Sequence, residues 1–250
     1  HLCDRRQRQM CIRDRVKYNG TNEKVKLQIT CPDQSCYTYL ISDRGAYDTF
    51  PLTAGNGSYA LQVLENVAGD TYTVSLAQSI NVSIEDEFLP FLYPNQYVNF
   101  HTDSKAVSKG SDLAKDTYSD LDVVQNIYNY VIKNISYDTE KAQNVSYGYV
   151  PDIDDTLSSK KGICFDYAAL MTSMLRSQNI PTKLEVGYSG DAYHAWISTY
   201  IDDKGWVDDI IQFNGDTWQI MDPTLAATND SAAVKKYVGD GSHYIVKYTY

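Results

Sequence analysis

The sequence has no apolar run long enough to cross a bilayer as a helix, for which about 20 consecutive apolar residues are needed. It has no internal repeat or low-complexity tract either, which excludes a solenoid or a propeller. Clustered Lys and Arg are absent from the body of the chain, and the formal net charge is −10. Phosphate backbones are bound through clustered cations, so nucleic acid is not an expected partner. Cysteine is scarce, with five in 250 residues, and two of those, Cys3 and Cys11, lie in an N-terminal stretch that stands apart.

That stretch, residues 1–15, holds five Arg. It resembles a translated sequencing-adapter fragment of the kind ending in Met10-Cys-Ile-Arg-Asp-Arg15, and no function is read in it. Any natural signal peptide or lipid anchor is then expected to be missing from the given sequence. The cysteines left are Cys31, Cys36 and Cys164. Cys31-Pro-Asp-Gln-Ser-Cys36 puts two thiols on either side of a turn, which leaves a small disulfide and two free thiols both open. A zinc site is disfavoured there, with two ligands in sight.

What the chain does have is 22 tyrosines within a hydrophobic share of 43%, a composition suited to β-rich surfaces and grooves. Residues 16–100 read as short strands. Lys24–Thr30 alternates polar and apolar, Cys36–Ile41 is β-prone, Gly55-Asn-Gly57 is a turn leading into Ser58–Leu64, and Thr71–Leu76 and Ile80–Ile84 follow. Their spacing suggests a small β-sandwich module acting as a scaffold or spacer. Phe88–Pro94, with two prolines, reads as an extended segment along a domain boundary, and residues 101–118 as a polar linker.

A helix is expected after Ser119, its N-cap, with Leu121, Val124, Tyr128, Val131 and Ile135 on the apolar face. A long loop then runs to Gly162. Its Asp152, Asp154 and Asp155 lack the spacing of a calcium loop, so a solvated acidic loop is expected and no metal. From Cys164 the helical period returns, because Tyr167, Leu170, Met171, Met174 and Leu175 fall on one face. Cys164 sits on the first turn, where unpaired N–H groups and the positive end of the dipole favour an anion and hence the nucleophilic thiolate. Strands are expected at Thr182–Gly187, Ala192–Ile201, Thr217–Met221 and Tyr244–Tyr250, and Trp206–Ile211 reads as a strand or a connection. Helices followed by antiparallel strands make an α+β arrangement.

His194 lies in a strand 30 positions after Cys164, and Asp222 at a strand end 28 positions after that. The three have the composition of a nucleophile, a base and an orienting group. Taken singly, each also fits a plain role: a small buried hydrophobe, a satisfied core imidazole and a turn residue before Pro223.

The settings of these residues carry a resemblance. Gly162-Ile-Cys-Phe-Asp-Tyr-Ala168, Ile180-Pro with Leu184-Glu-Val-Gly-Tyr188, Tyr193-His-Ala-Trp196 and Trp218-Gln-Ile-Met-Asp-Pro-Thr224 resemble the transglutaminase-like superfamily in sequence and order. The resemblance covers residues 119–250. With the β-module before it, the arrangement also looks like the surface or secreted transglutaminase-domain proteins of Gram-positive bacteria.

The resemblance implies a papain-like core and a Cys164, His194, Asp222 triad. Cys164 would attack a carboxamide carbonyl, His194 would protonate the departing amine, and Asp222 would orient the ring. The Cys164 N–H and the Tyr137 side chain are candidate oxyanion donors, and Trp196 a candidate shield against water. The expected activity is cysteine-dependent acyl transfer on protein or peptide amides through a thioester, with amine or water as acceptor and no cofactor. The alternatives are a cysteine protease or amidase on cell-wall peptides and a non-catalytic surface binding protein. An extracellular or cell-surface location goes with this reading.

Overall fold

The computed structural model describes residues 12–41, 45–189, 191–202, 204–207, 211–213, 218–220 and 244–250. The chain divides after Pro90 into two compact units.

In the first unit β1 (Arg13–Val16) pairs antiparallel with β4 (Asp48–Pro51), while β2 (Val25–Thr30), β3 (Cys36–Leu40), β5 (Gly57–Ala68) and β6 (Thr71–Val82) form a four-stranded antiparallel sheet in the order β3-β2-β5-β6. The alternation in β2 sends Val25, Leu27 and Ile29 into the core, where Tyr59, Leu61 and Val63 of β5 join them. The β1–β4 pair meets this sheet through Phe50 of β4, wholly buried, whose ring centroid lies 4.8 Å from that of Tyr39 on β3. One full sheet faced by a strand pair thus stands where a sandwich was expected.

Two boundaries differ from expectation. Residues 13–15, set apart in the sequence, form most of β1, because Ile12, Asp14 and Val16 alternate into the core. Thr71–Val82 is one strand, where two were expected; register shifts between Val63 and Leu64 and between Asn66 and Ala68 let it follow β5 throughout. Cys31 and Cys36 are free thiols. Cys36 pairs with Thr30, so Cys31, next along the chain, takes the opposite side and is buried while Cys36 is exposed.

A 3-10 turn at Leu89–Phe91, at the division between the units, stands within the segment expected to be extended. In the second unit the expected linker carries α1 (Lys105–Leu113). Two contacts explain why a polar stretch is helical here. Asp154 accepts from the N–H groups of Lys105 (3.0 Å) and Ala106 (2.9 Å), satisfying helix-start donors. Gly110 also lets the helix lie against Met174, whose carbonyl oxygen would be 3.1 Å from an added Cβ.

Helix α2 (Asp120–Asn134) starts at Ser119, whose side chain accepts from the Asp122 N–H as expected. Its buried face includes Val123 and Ile127 beside Val124, Tyr128 and Val131, while Leu121 is only half-buried. The expected long loop is instead β7 (Ser136–Tyr137), α3 (Thr139–Asn144), α4 (Ile153–Ser159) and β8 (Lys161–Gly162), with β7 and β8 parallel. Its carboxylates are engaged at helix starts: Asp152 accepts from the N–H groups of Asp154 and Asp155. Among the described residues no group of His, Cys, Asp and Glu is placed to hold a metal ion.

Helix α5 (Cys164–Ser177) is the centre of this unit. Tyr167, Leu170, Met171, Met174 and Leu175 are fully buried, as the periodicity predicts, but so are Ala169, Thr172 and Ser173, because α1, α2 and α4 pack on it along with the sheet. That sheet has the order β11-β10-β9-β14, all antiparallel, built of β9 (Thr182–Ser189), β10 (Ala192–Ile201), β11 (Gly205–Val207) and β14 (Tyr244–Thr249). A short hairpin of β12 (Ile211–Phe213) and β13 (Trp218–Ile220) lies between β11 and β14 in the chain. The arrangement is a mixed α+β, papain-like core. No described helix is long and apolar enough to cross a membrane.

At the C-terminal end of α5 the buried Arg176 donates to the carbonyls of Thr182 (2.8 Å), Tyr93 (2.7 Å) and Tyr250 (2.7 Å). Burial pushes its pKa down to about 9, and at neutral pH it keeps its proton. These bonds join the helix to the start of β9, the end of β14 and the segment before α1. Removing the guanidinium leaves three acceptors without their donor, so Arg176→Ala is expected to cost about 3 kcal/mol or more in urea unfolding, with Arg176→Lys recovering only part. Alkylation of the native protein is expected to modify Cys36 and spare Cys31 until denaturant is added, as read by peptide mapping.

Candidate active site

Cys164 is the first residue of α5 and is half-buried. Ile163 before it is extended (φ −94°, ψ 176°), so the chain enters the helix straight from β8. The opening N–H groups of a helix have no partner within it, so the Cys164 N–H belongs to a donor set able to face an anion. An acidic side chain organises the turn. Asp166, with no solvent exposure, accepts from the Ile163 N–H (2.8 Å), from Lys141 Nζ (2.8 Å) and from the Tyr149 hydroxyl (2.5 Å). Lys141 Nζ also donates to the Tyr149 oxygen (2.6 Å).

These contacts move the pKa values of the two partners. Burial alone would lower that of Lys141, but its bonds to Asp166 and Tyr149 hold it above the usual lysine range. Tyr149 is pushed up to about 12, first by burial and then by donating to Asp166.

Tyr137 arrives from β7, directly beside Gly162 in the parallel register, and Asp138 N–H donates to the Gly162 carbonyl at 2.9 Å. The Tyr167 hydroxyl donates to the Ile135 carbonyl at 2.7 Å, which ties α5 to the end of α2 and holds β7 against the Cys164 turn. The half-buried phenol of Tyr137 is an electrostatic neighbour of Tyr167. Tyr137 therefore lies beside Gly162, which is two residues before Cys164.

From the other side comes β10, on which α5 packs. The exposed Tyr193 near the start of β10 meets Tyr188 of β9 edge-on, with ring centroids 5.5 Å apart. His194, the next residue, is half-buried and stacked on Trp196, with centroids 6.3 Å apart and planes at 27°. Trp196 is 3% exposed and meets Tyr244 edge-on at 4.8 Å, which fixes its ring beside the imidazole on the same strand. The structure thus places Cys164 at the start of α5, Tyr137 on β7 beside Gly162, and the His194–Trp196 pair on β10, a strand on which α5 packs. Asp222 lies outside the described residues.

Three residues around these elements were not singled out by spacing: Lys141, Tyr149 and Tyr193. Asp166 carried a signal, an acidic residue at the third helical position, which is a helix-start preference. Lys141 and Tyr149 carried none, because their link to Asp166 spans 25 and 17 positions across two other elements.

Residues 108–208 match the family model of the transglutaminase-like superfamily, so this stretch of the chain is similar to that superfamily. Among curated proteins, UPF0252 protein MJ1282 of Methanocaldococcus jannaschii is 30% identical over 118 aligned positions, covering 41% of this chain and 34% of that protein. The kyphoscoliosis peptidase of Mus musculus is 30% identical over 107 positions, covering 38% of this chain and 16% of the peptidase. The match thus spans about a third of one relative and about a sixth of the other. Among solved structures, the periplasmic domain of TgpA from Pseudomonas aeruginosa is 13% identical with a TM-score of 0.47, over 92% of this chain and 93% of that one.

The turn allows little change. A Cβ on Gly162 would lie 2.7 Å from the Asp166 Cβ and 3.2 Å from the Thr156 methyl. Gly162→Ala is therefore expected to cost about 1–3 kcal/mol through overpacking, seen as a lowered unfolding midpoint, and to alter the alkylation rate of Cys164.

Proposed function

We propose that the chain is a cysteine acyltransferase or hydrolase acting on protein or peptide amides, with Cys164 as nucleophile and His194 as its acid and base. The observation that carries this reading is the half-buried thiol at the first residue of a buried helix, which packs on the strand that carries the His194–Trp196 pair. The thiolate attacks the carboxamide carbon, and the negative charge that develops on oxygen is met by the helix-start N–H groups, with the Tyr137 hydroxyl as second donor. His194 gives the proton to the leaving ammonia or amine as the carbonyl re-forms, which yields the thioester. An amine or a water, deprotonated by the same imidazole, then releases the acyl group. Asp222 is assigned the orienting role on its spacing and its Met-Asp-Pro setting. The resemblance to surface transglutaminase-domain proteins supports an extracellular setting and peptide substrates, cell-wall peptides included.

Incubation with a glutaminyl peptide and a primary amine, followed by mass spectrometry, separates the outcomes. A product heavier by the amine less ammonia is ligation, a glutamate product is deamidation, and shorter peptides are hydrolysis. Cys164→Ala is expected to abolish all of them, and His194→Ala to lower the rate by roughly 10²–10⁴. Unchanged turnover in Cys164→Ala would falsify the assignment.

A further inference from the structure

Helix α3 and the residues after it lie between two elements of the candidate site, β7 with Tyr137 and β8 leading to Cys164. This helix buries none of its own residues. An element without buried side chains has little hydrophobic reason to stay in place. What ties it down is polar: Lys141 of α3 and Tyr149 beyond it both reach Asp166, which is fully buried two residues after Cys164. The same carboxylate holds the N–H of Ile163, the residue just before the thiol. One buried group therefore fixes the turn that carries the thiol and docks the segment between β7 and α4. The ammonium of Lys141 packs over the Tyr149 ring, 4.5 Å from its centroid, so the two partners also brace each other.

We infer that Lys141 and Tyr149 are positioning residues for the Cys164 reaction, acting through Asp166 to hold the thiol-bearing turn and to neutralise the negative charge beside the thiolate. The inference rests on the reading of Cys164 as nucleophile. The charge requirement is direct. Asp166 is fully buried two residues after Cys164, and the cation paired with it, Lys141, is supplied by a different element of the fold. Among the described residues, the other titratable groups on elements around this end of α5 include Tyr137 on β7, Lys161 on β8, Tyr193 and His194 on β10, and Tyr97, whose ring centroid lies 5.2 Å from that of Phe165. On α4, Asp154 is engaged at the start of α1, while Asp152 caps α4 itself, whose first turn also holds Asp155.

The test is the pH dependence of Cys164 alkylation by iodoacetamide, resolved by peptide mapping, in the full chain. Lys141→Met removes the cation from a helix that contributes nothing to the core. It is expected to raise the pH of half-maximal alkylation by about one unit, with Lys141→Arg restoring the wild-type profile. Tyr149→Phe, which deletes one hydroxyl, is expected to shift it the same way by less, and it serves if Lys141→Met does not fold by circular dichroism. A merely structural role would lower the unfolding midpoint and leave the pH profile in place. Fast alkylation of wild-type Cys164 with an unmoved profile in both variants overturns the positioning role alone. Wild-type alkylation no faster than that of the denatured chain overturns the nucleophile reading, and the positioning role with it.

Discussion

A carboxylate removed from water needs donors around it, and Asp166 has three, contributed by the backbone before Cys164, by α3 and by the segment after α3. This condition organises the candidate site. Burial makes an unmet donor or acceptor costly, so the three elements are held in one relation to each other. Gly162 is part of the same arrangement, since any side chain there would occupy the space of the Asp166 Cβ.

The far end of α5 is held by the complementary device. There a buried cation, Arg176, takes the carbonyls of three separate stretches. The Cys164 helix is therefore tied at its N-terminus through a carboxylate and at its C-terminus through a guanidinium, with a fully buried, mostly apolar middle between them. A nucleophile at the head of such a helix is positioned by the core of the unit and not by a loop, which suits a reaction whose rate depends on small displacements.

Much of this could be read along the chain. The apolar face of α5 follows from its period, the N-cap of α2 from Ser119, and the strands β2, β3, β9, β10 and β14 from alternation and turn residues. Errors fell where a tertiary partner outweighs local composition. Lys105–Leu113 reads as a polar linker, yet it is helical because a carboxylate 48 residues away satisfies its first N–H groups and because Gly110 allows contact with Met174. Asp152 and Asp154 read as a solvated loop because a helix of seven residues shows too little periodicity to be seen.

By itself the sequence determined which residue types could do the chemistry and the local frames that hold them: a thiol at a helix start, an imidazole two places before a tryptophan in a strand, and an acidic residue one turn into the helix. Those features depend on neighbours within a few positions, and local sterics and hydrogen bonding decide them. Only the tertiary structure decided that Tyr193 meets Tyr188, that Trp196 is buried against Tyr244, and that Lys141 and Tyr149 converge on Asp166. Each of the latter depends on strand register or on packing between distant elements, and a buried charge finds its partner by proximity in space, which spacing along the chain does not encode.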